Sequence, residues 1–445
     1  MDAGQDEDKA VADIEKQGGW VVRDDVLADK PVVEVNLVGG DCTDAQLAEL
    51  KAFPRLLRLY VKEAKITDAG LANLKGKTNL ELLSLYSTPI GDEGLANLKG
   101  LTRLEKLYIS EAKITNAGLS ALEDLTRLTE LELSHIELTD AGLAHLRGLT
   151  KLQELWLNST KITDASLEQL ANYSKLELLV LSGTRVTDAG MERIKDLKKL
   201  ETLHLTDTLI GDDGLKRLKG LTSLRALYLV HTQITDDALA ALKDLPRLQE
   251  LSVSETRIGD AGLDSIKAMT RLEHLALSST KITDGGLESL KGLDRLHSLY
   301  LDSTSVGDDG LASLKDLTRL ETIDLMSTKV TDDGLVHLKG MADLKSLFLS
   351  HDKITDAGLS QLKGLSHLEQ LYLYETGVTD AGLAVVKDFK DLQELNLSKT
   401  SIGDAGLAQL KGLVHLQKLF IEDTKATAAG IKALQEALPT CQIAH

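Results

Sequence analysis

The chain repeats itself at one fixed step. Leu80-Glu-Leu-Leu-Ser-Leu85 is followed by Leu104-Glu-Lys-Leu-Tyr-Ile109, Leu128-Thr-Glu-Leu-Glu-Leu133 and Leu152-Gln-Glu-Leu-Trp-Leu157. The step does not change between Val32 and Leu416, giving seventeen copies in phase. A copy this short cannot cover its own apolar side chains, so each one needs neighbours stacked against it. The period therefore excludes an ordinary globular core and demands an array.

One copy can be read residue by residue. LxxLxL alternates with period two, which predicts a short strand with its Leu side chains facing inward. Shortly beyond the last Leu comes a column that is Thr in 12 copies, among them Thr160, Thr184 and Thr208. A hydroxyl there can bond the backbone of the turn leaving the strand. A buried Ile or Val follows, as at Ile162, Val186 and Ile210. Next is a column holding Asp in 15 copies (Asp164, Asp188, Asp212); Asn116 and Ala428 are the exceptions. These carboxylates sit where a helix begins, as caps or first-turn groups facing the helix dipole. The other reading, a carboxylate ladder binding cations, is weaker because capping accounts for each member. A little further on, Gly fills 14 copies and lets neighbouring helices stack closely. Leu pairs such as Leu143 and Leu146 share one helix face. Lys or Arg closes the helix, and Gly, Asp or Asn stops it, as in Lys99-Gly100.

The resulting pattern, LxxLxLxxT-x-I-T-D-A-G-L-x-x-L-K-G-L-x-x, resembles the leucine-rich repeat family over about residues 32–445. It is most similar to the bacterial "ITDAGL" type, and less so to the ribonuclease-inhibitor and F-box-associated types. It departs from the family pattern in using mostly Thr where a ladder Asn or Cys is usual. The resemblance implies an α/β solenoid, or horseshoe, with a parallel sheet on the concave face, short helices on the convex face, and protein binding on the sheet. Curvature also follows from size. Strands stack ~4.8 Å apart, whereas helices with their side chains are ~10 Å wide, so the sheet side is the shorter one.

The array needs ends. Residues 5–17 read as a helix with Val11 and Ile14 on one side, stopped by Gly18-Gly19 and followed by a short strand at Trp20-Val21-Val22. The expected organisation is an N-terminal cap over 1–31, seventeen repeats over 32–438, and a C-terminal cap strand over 439–445, after Pro439 ends the last helix. Ala428 and Ala429 replace the Asp-Ala pair of the other copies.

Composition narrows the function. Lys and Arg number 51 against 69 Asp and Glu, for a formal charge of −18. That field repels phosphate backbones, so nucleic acid is not the expected partner. No apolar run approaches ~18 residues, so no membrane insertion is expected. Cys42 and Cys441 have no metal-ligand spacing and read as free buried thiols. The start has no basic n-region or apolar h-region. The chain reads as cytoplasmic as written, or as exported with a leader removed, and as a monomer. No cofactor, metal site or catalytic residue is expected. Gly76-Lys77-Thr78 resembles the end of a P-loop, but Gly70 is one residue too far away for that motif. Neither GxSxG nor HExxH occurs. Five His (His135, His204, His231, His274 and His351) are spread over different rungs. Three glycosylation sequons, beginning at Asn158, Asn172 and Asn396, are chance-level matches.

The informative residues are those that the repeat leaves free. The chain has 14 aromatics, 3% of its length. Ten occupy outward-pointing strand columns: Tyr60, Tyr86, Tyr108, Trp156, Tyr228, Tyr300, Phe348, Tyr372, Tyr374 and Phe420. Phe53, Tyr173 and Phe389 take a Leu column, and Trp20 lies in the cap. Strand propensity alone would put rings on both faces, yet the inward strand columns have none. Rings contribute contact area at low entropy cost. The outward columns also hold 15 acids, including Glu130, Glu132, Glu154, Asp302 and Asp324, against 5 bases. The expectation is a non-catalytic protein-interaction scaffold whose partner carries a basic or mixed-charge surface. The alternative is a glycan or cell-envelope adhesion module, with rings stacking on sugars.

Overall fold

The computed structural model describes residues 3–445. The chain divides into two compact units, Met1–Leu224 and Arg225–His445. Both are built from the same strand, turn and short helix, coiled once per repeat.

The first unit opens with a helix, Ala3–Glu15, which buries Ala10 and Ile14. Of the segment assigned to the N-terminal cap, residues 1–2 lie outside the described residues. Gly18 takes a left-handed turn (φ 84°), and the Gly19 N–H returns to the Ile14 carbonyl at 3.2 Å. The strand Trp20–Arg23 then runs antiparallel to Val32–Val38, with Trp20 opposite Asn36. From Val32–Val38 onward the strands are parallel, each in register with its counterpart in the next repeat: Arg58–Lys62, Leu82–Tyr86, Lys106–Ser110, Glu130–Ser134, Glu154–Trp156, Leu178–Val180 and Thr202–His204. The second unit continues the pattern from Ala226–Tyr228 to Lys418–Phe420, and Gln442–Ala444 is added parallel to that strand. The final helix, Ala428–Ala437, ends just before Pro439.

Each inward Leu column is buried, as at Leu131, Leu155, Leu179 and Leu203. Phe53, Tyr173 and Phe389 are buried in their Leu column. The phenol of Tyr173 finds a partner in the Leu146 carbonyl at 2.9 Å, and burial pushes that hydroxyl well above its usual range. Both thiols are free and buried, and burial raises both.

Strand length varies, and in most copies it follows the Thr column; Thr322–Asp324 and Ser346–Phe348 are short as well, although Thr328 bonds Asp352 instead and Asp352 itself replaces the Thr. In ten copies the Thr hydroxyl donates to the carbonyl of the last strand Leu, Ile or Val, as Thr160 does to Leu157 (2.7 Å) and Thr184 to Leu181 (2.6 Å). That bond folds the chain into a turn and keeps the strand short, as at Glu154–Trp156. Where Ala64, Ala112 or Ile136 stands instead, the strand is longer, with 5 residues. Thr88 lies between two such copies; its hydroxyl is buried without a partner and its strand, Leu82–Tyr86, is also long. Replacing Thr160 with Ala should cost about 1 kcal/mol, the value of one net hydrogen bond, measured as a lower urea midpoint.

A second column takes φ near +55° in almost every copy, at residues such as Glu63, His135, Ser159, Glu255 and Lys399. In the sequence only Gly39 and Gly183 mark it. The expected glycine stops are left-handed at Gly76 and Gly100, but not at Gly148 or Gly220.

The Asp column does more than begin helices. Asp164 is the first residue of its helix, and Thr187 caps the next one. Asp164 Oδ1 accepts from the Thr187 N–H (2.8 Å) and Oδ2 from its hydroxyl (2.6 Å). The same bonds join Asp44 to Thr67, Asp260 to Thr283 and Asp356 to Thr379. Asn116 serves equally well, its amide oxygen and nitrogen both meeting Thr139. Where Ser166 replaces Gly, its hydroxyl joins the set on Asp140, and these donors hold that carboxylate below its usual range against the opposing effect of burial. Where Ala428 stands, the column has no carboxylate. Gly is favoured in its column because the Asp carboxylate of the preceding copy lies against it, although Ser166 and Ala238 are accommodated in two copies. A Cβ on Gly94, Gly190 or Gly358 would collide with Oδ1 of Asp68, Asp164 or Asp332.

Candidate functional site

Alternation along each strand sends one side chain in and the next out. All ten predicted rings are half-buried or exposed, on the outer face of their unit's sheet or at its margin, while the Leu beside them are fully buried.

In the first unit, Tyr108 and Trp156 stand two rungs apart and meet edge-on, with ring centroids 6.1 Å apart. Glu132 lies on the rung between them. The Tyr108 hydroxyl donates to Glu130, whose other oxygen takes Lys106 at 2.6 Å. Burial, and then that carboxylate, push the Tyr108 hydroxyl up. Hydrogen bonding to Glu130 also raises Lys106. Burial raises Glu154, helped by neighbouring Glu130, and burial raises Glu132. Lys62 lies over the Tyr86 ring at 5.6 Å, and the Tyr86 hydroxyl reaches Glu111 at 3.4 Å. Tyr60 shares the face, opposite Asn36 and Ser84 on the adjoining rungs.

The second unit repeats the motif. Phe348 and Tyr372 pack at 5.0 Å, and Tyr372 donates to Glu394 at 2.8 Å. Lys418 holds the same carboxylate at 2.6 Å. Burial and the Glu394 carboxylate push the Tyr372 hydroxyl to about 12. Tyr228 donates to Glu250 in the same way and is likewise raised to about 12, chiefly by burial. Tyr374 is flanked by His351 (4.9 Å, edge-on) and by Lys399 over its ring (4.9 Å). Tyr228 and Tyr300 frame a shallow cleft of about 270 Å³ floored by Ser252 and Ala276, with His274 on its side. Phe420 stands on the strand Lys418–Phe420, opposite Asn396.

The rings and acids are thus coupled. A Tyr on one rung bonds a Glu on the next, at Tyr108–Glu130, Tyr228–Glu250 and Tyr372–Glu394. The spacing recurs in the sequence, but nothing local marks the two residues as a pair. Hydrogen bonding fixes the rings in place and gives these acids a role beyond solubility.

One predicted acid is misplaced. Asp324 is only 7% exposed, accepts the Met326 N–H at 3.0 Å, and burial raises it to about 6. It does not present a carboxylate to solvent as expected. Asp302 is half-buried and accepts the Ser278 hydroxyl. Nothing in the sequence singles out Asp352, which takes the Thr column. It is 4% exposed and its Oδ1 caps Thr328, but its Oδ2 has no partner. Burial pushes it to about 7. Lys77, the P-loop-like residue, donates to the carbonyls of Leu50 and Phe53, and burial lowers it. Among the described residues no group of three or more His, Cys, Asp or Glu is placed to hold a metal, and no helix is long and apolar enough to cross a membrane.

Comparison with known proteins bears on this arrangement. A leucine rich repeat family model matches residues 174–234 and 246–306, and a second such model matches 390–410. No curated protein matches the chain. Among solved structures, it is similar to an internalin of Listeria monocytogenes, with 25% identity, TM-score 0.56, 88% of this chain and 94% of that one covered. The ectodomain of the Arabidopsis receptor kinase HAESA, in complex with an extended IDA peptide hormone, gives 15% identity and TM-score 0.52, covering 100% and 89%. The TLR13–ssRNA13 complex gives 19% identity and TM-score 0.61, covering 94% and 63%. Proteins of this fold are typically interaction scaffolds. By its 24-residue coil, its buried Leu columns and these matches, the chain has the leucine-rich repeat fold.

Proposed function

We propose that this chain is a non-catalytic, monomeric scaffold that binds a partner protein on the outer face of its sheet. The observation carrying this reading is the placement of ten of the 14 rings on the outward side of the strands, several braced by Glu and Lys. Braced rings lose little entropy on binding, which is what interface anchors need. The Tyr60, Tyr86, Tyr108 and Trp156 group anchors one patch. The Phe348, Tyr372 and Tyr374 group, with Tyr300 and Phe420 on the same face, anchors another. The Tyr228–Tyr300 cleft has the size of a single side-chain socket. Glu130, Glu132, Glu154 and Asp302 favour a partner with basic or mixed charge. One similar fold is described with single-stranded RNA, but an acidic face opposes a phosphate backbone. The segments 1–31 and 439–445 serve as end caps that keep the terminal Leu from water.

The test replaces Tyr60, Tyr86 and Tyr108 together with Ala. Capture of a partner identified by affinity purification should weaken at least about 100-fold, since each anchoring ring is worth about 2 kcal/mol. The urea midpoint should fall only slightly, because these side chains are outside the core and the chief loss is the Tyr108 bond to Glu130 with its contact to Trp156. Unchanged affinity would refute the assignment. A glycan array binding sugars on this face in place of protein would favour the adhesion reading.

A further inference from the structure

A cleft of about 680 Å³ opens along the turns that follow the strands Lys106–Ser110 to Leu178–Val180, beyond the ring-bearing face. It falls where strand length changes. Ala112 and Ile136 line one side, from turns after the longer strands; Thr160 lines the other, from a turn after a short strand. Gly183 leaves its rung without a side chain, in the left-handed column that holds His135 and Ser159. Space and a break in the stacking therefore coincide.

The charge here runs against that of the whole chain. Lys113, Lys161 and Arg185 border the cleft, against the single carboxylate of Glu137. Glu137 pairs with Lys161. Among the described residues, neither Lys113 nor Arg185 has a carboxylate partner, which leaves two positive charges uncompensated. Neutral donors are also at hand. The Asn158 amide oxygen accepts the Ser134 hydroxyl at 2.6 Å, which turns its nitrogen toward His135 Nε2 at 3.3 Å. His135 Nε2 is then the acceptor, and Nδ1 carries the ring proton. The Ser159 side chain supplies a hydroxyl beside it.

We propose that this cleft binds a phosphate monoester. Two uncompensated cations match the two charges of that group near neutral pH. The fork of Arg185 and the point charge of Lys113 are suited to its oxygens, and His135 and Ser159 add donors. The site is independent of the ring-bearing face and stands whether or not that face binds protein.

The test titrates inorganic phosphate into the full chain at constant ionic strength, read by 31P line broadening and by the shift in apparent melting temperature. Wild type should respond saturably, and chloride should not. Lys113→Gln with Arg185→Gln should weaken the response at least tenfold while leaving the phosphate-free melting temperature in place. Lys329→Gln with Lys353→Gln, in the same turn column outside the cleft, should change nothing. O-phosphoserine and glycerol 3-phosphate arms then tell a peptide-borne from a polyol-borne group; tighter binding of either one supports the site. Equal responses in wild type and the Lys113/Arg185 variant, or an equal response to chloride, would overturn the proposal. If that double variant fails to fold, Arg185→Lys keeps the test open. It retains the charge but not the fork, so weaker phosphate binding supports the site and unchanged binding rejects it.

Discussion

Gly190→Ala should destabilise the first unit by about 2–3 kcal/mol, although the change adds one methyl group to a short helix where Ala is the better helix former. The new Cβ would collide with Asp164 Oδ1 and lie 2.6 Å from Leu167 Cδ1. Helix propensity favours Ala over Gly by only about 1 kcal/mol, and overpacking of this kind costs about 1–3 kcal/mol plus whatever bonds are displaced. The displaced bonds are those from the backbone and hydroxyl of Thr187 to the Asp164 carboxylate. Asp164→Ala alone should cost about 1–2 kcal/mol by leaving the Thr187 N–H without its acceptor. The decisive measurement is the double variant. With the carboxylate gone the methyl group has room, so Asp164→Ala/Gly190→Ala should cost at least about 1 kcal/mol less than the sum of the singles. Additive costs in urea denaturation would show that the two columns are independent and that the Gly only serves helix packing.

The second large effect depends on pH and belongs to the second unit. Asp352 is buried with one oxygen unpartnered, and burial raises it from an ordinary carboxylate to about 7; Asp324, also raised, to about 6, lies close enough to add to the shift. A raised acid favours the protonated folded state. Below about pH 4 both states hold the proton and nothing is lost. As pH rises from about 4 to about 7 the unfolded chain releases its proton freely while the folded chain keeps it, so stability falls and then levels off above that range. At about 1.4 kcal/mol per unit, the loss for Asp352 is about 3–4 kcal/mol. Asp352→Asn isolates this contribution, because the amide oxygen can still cap Thr328 and no charge needs burying. The variant should match the wild type at about pH 4 and exceed it by about 3 kcal/mol at about pH 8. A stability difference that does not change with pH would show that Asp352 is not the group responsible.

Much of this molecule can be read from one repeat. The alternation of Leu sets the inward face and so places Tyr108, Trp156 and Phe348 outside the core. Period-two geometry leaves no other choice once the Leu set must be buried. The Asp and Gly columns are legible as helix-start and close-packing positions. That they act on one another is not, because Asp164 and Gly190 belong to successive repeats and meet only when two coils stack. The left-handed column is hidden for a related reason. Among the described residues, sixteen other than Gly take positive φ, most of them held there by the turn between a stacked strand and a stacked helix rather than by their own preference.

The site divides along the same line. Which side chains point outward is a local matter, decided by alternation within each strand. Whether an outward acid remains exposed is not. Glu130 spans Tyr108 and Lys106, whereas Asp324 and Asp352 lose their solvent to the coils beside them. The sequence by itself determined the period, the buried columns and the outward rings, because these follow from covalent spacing and the need to bury Leu. Only the tertiary structure decided which carboxylates are paired, buried or left to solvent, and where the stacking opens into a cleft. Those outcomes depend on distances between residues that meet across rungs, and no residue carries that information alone.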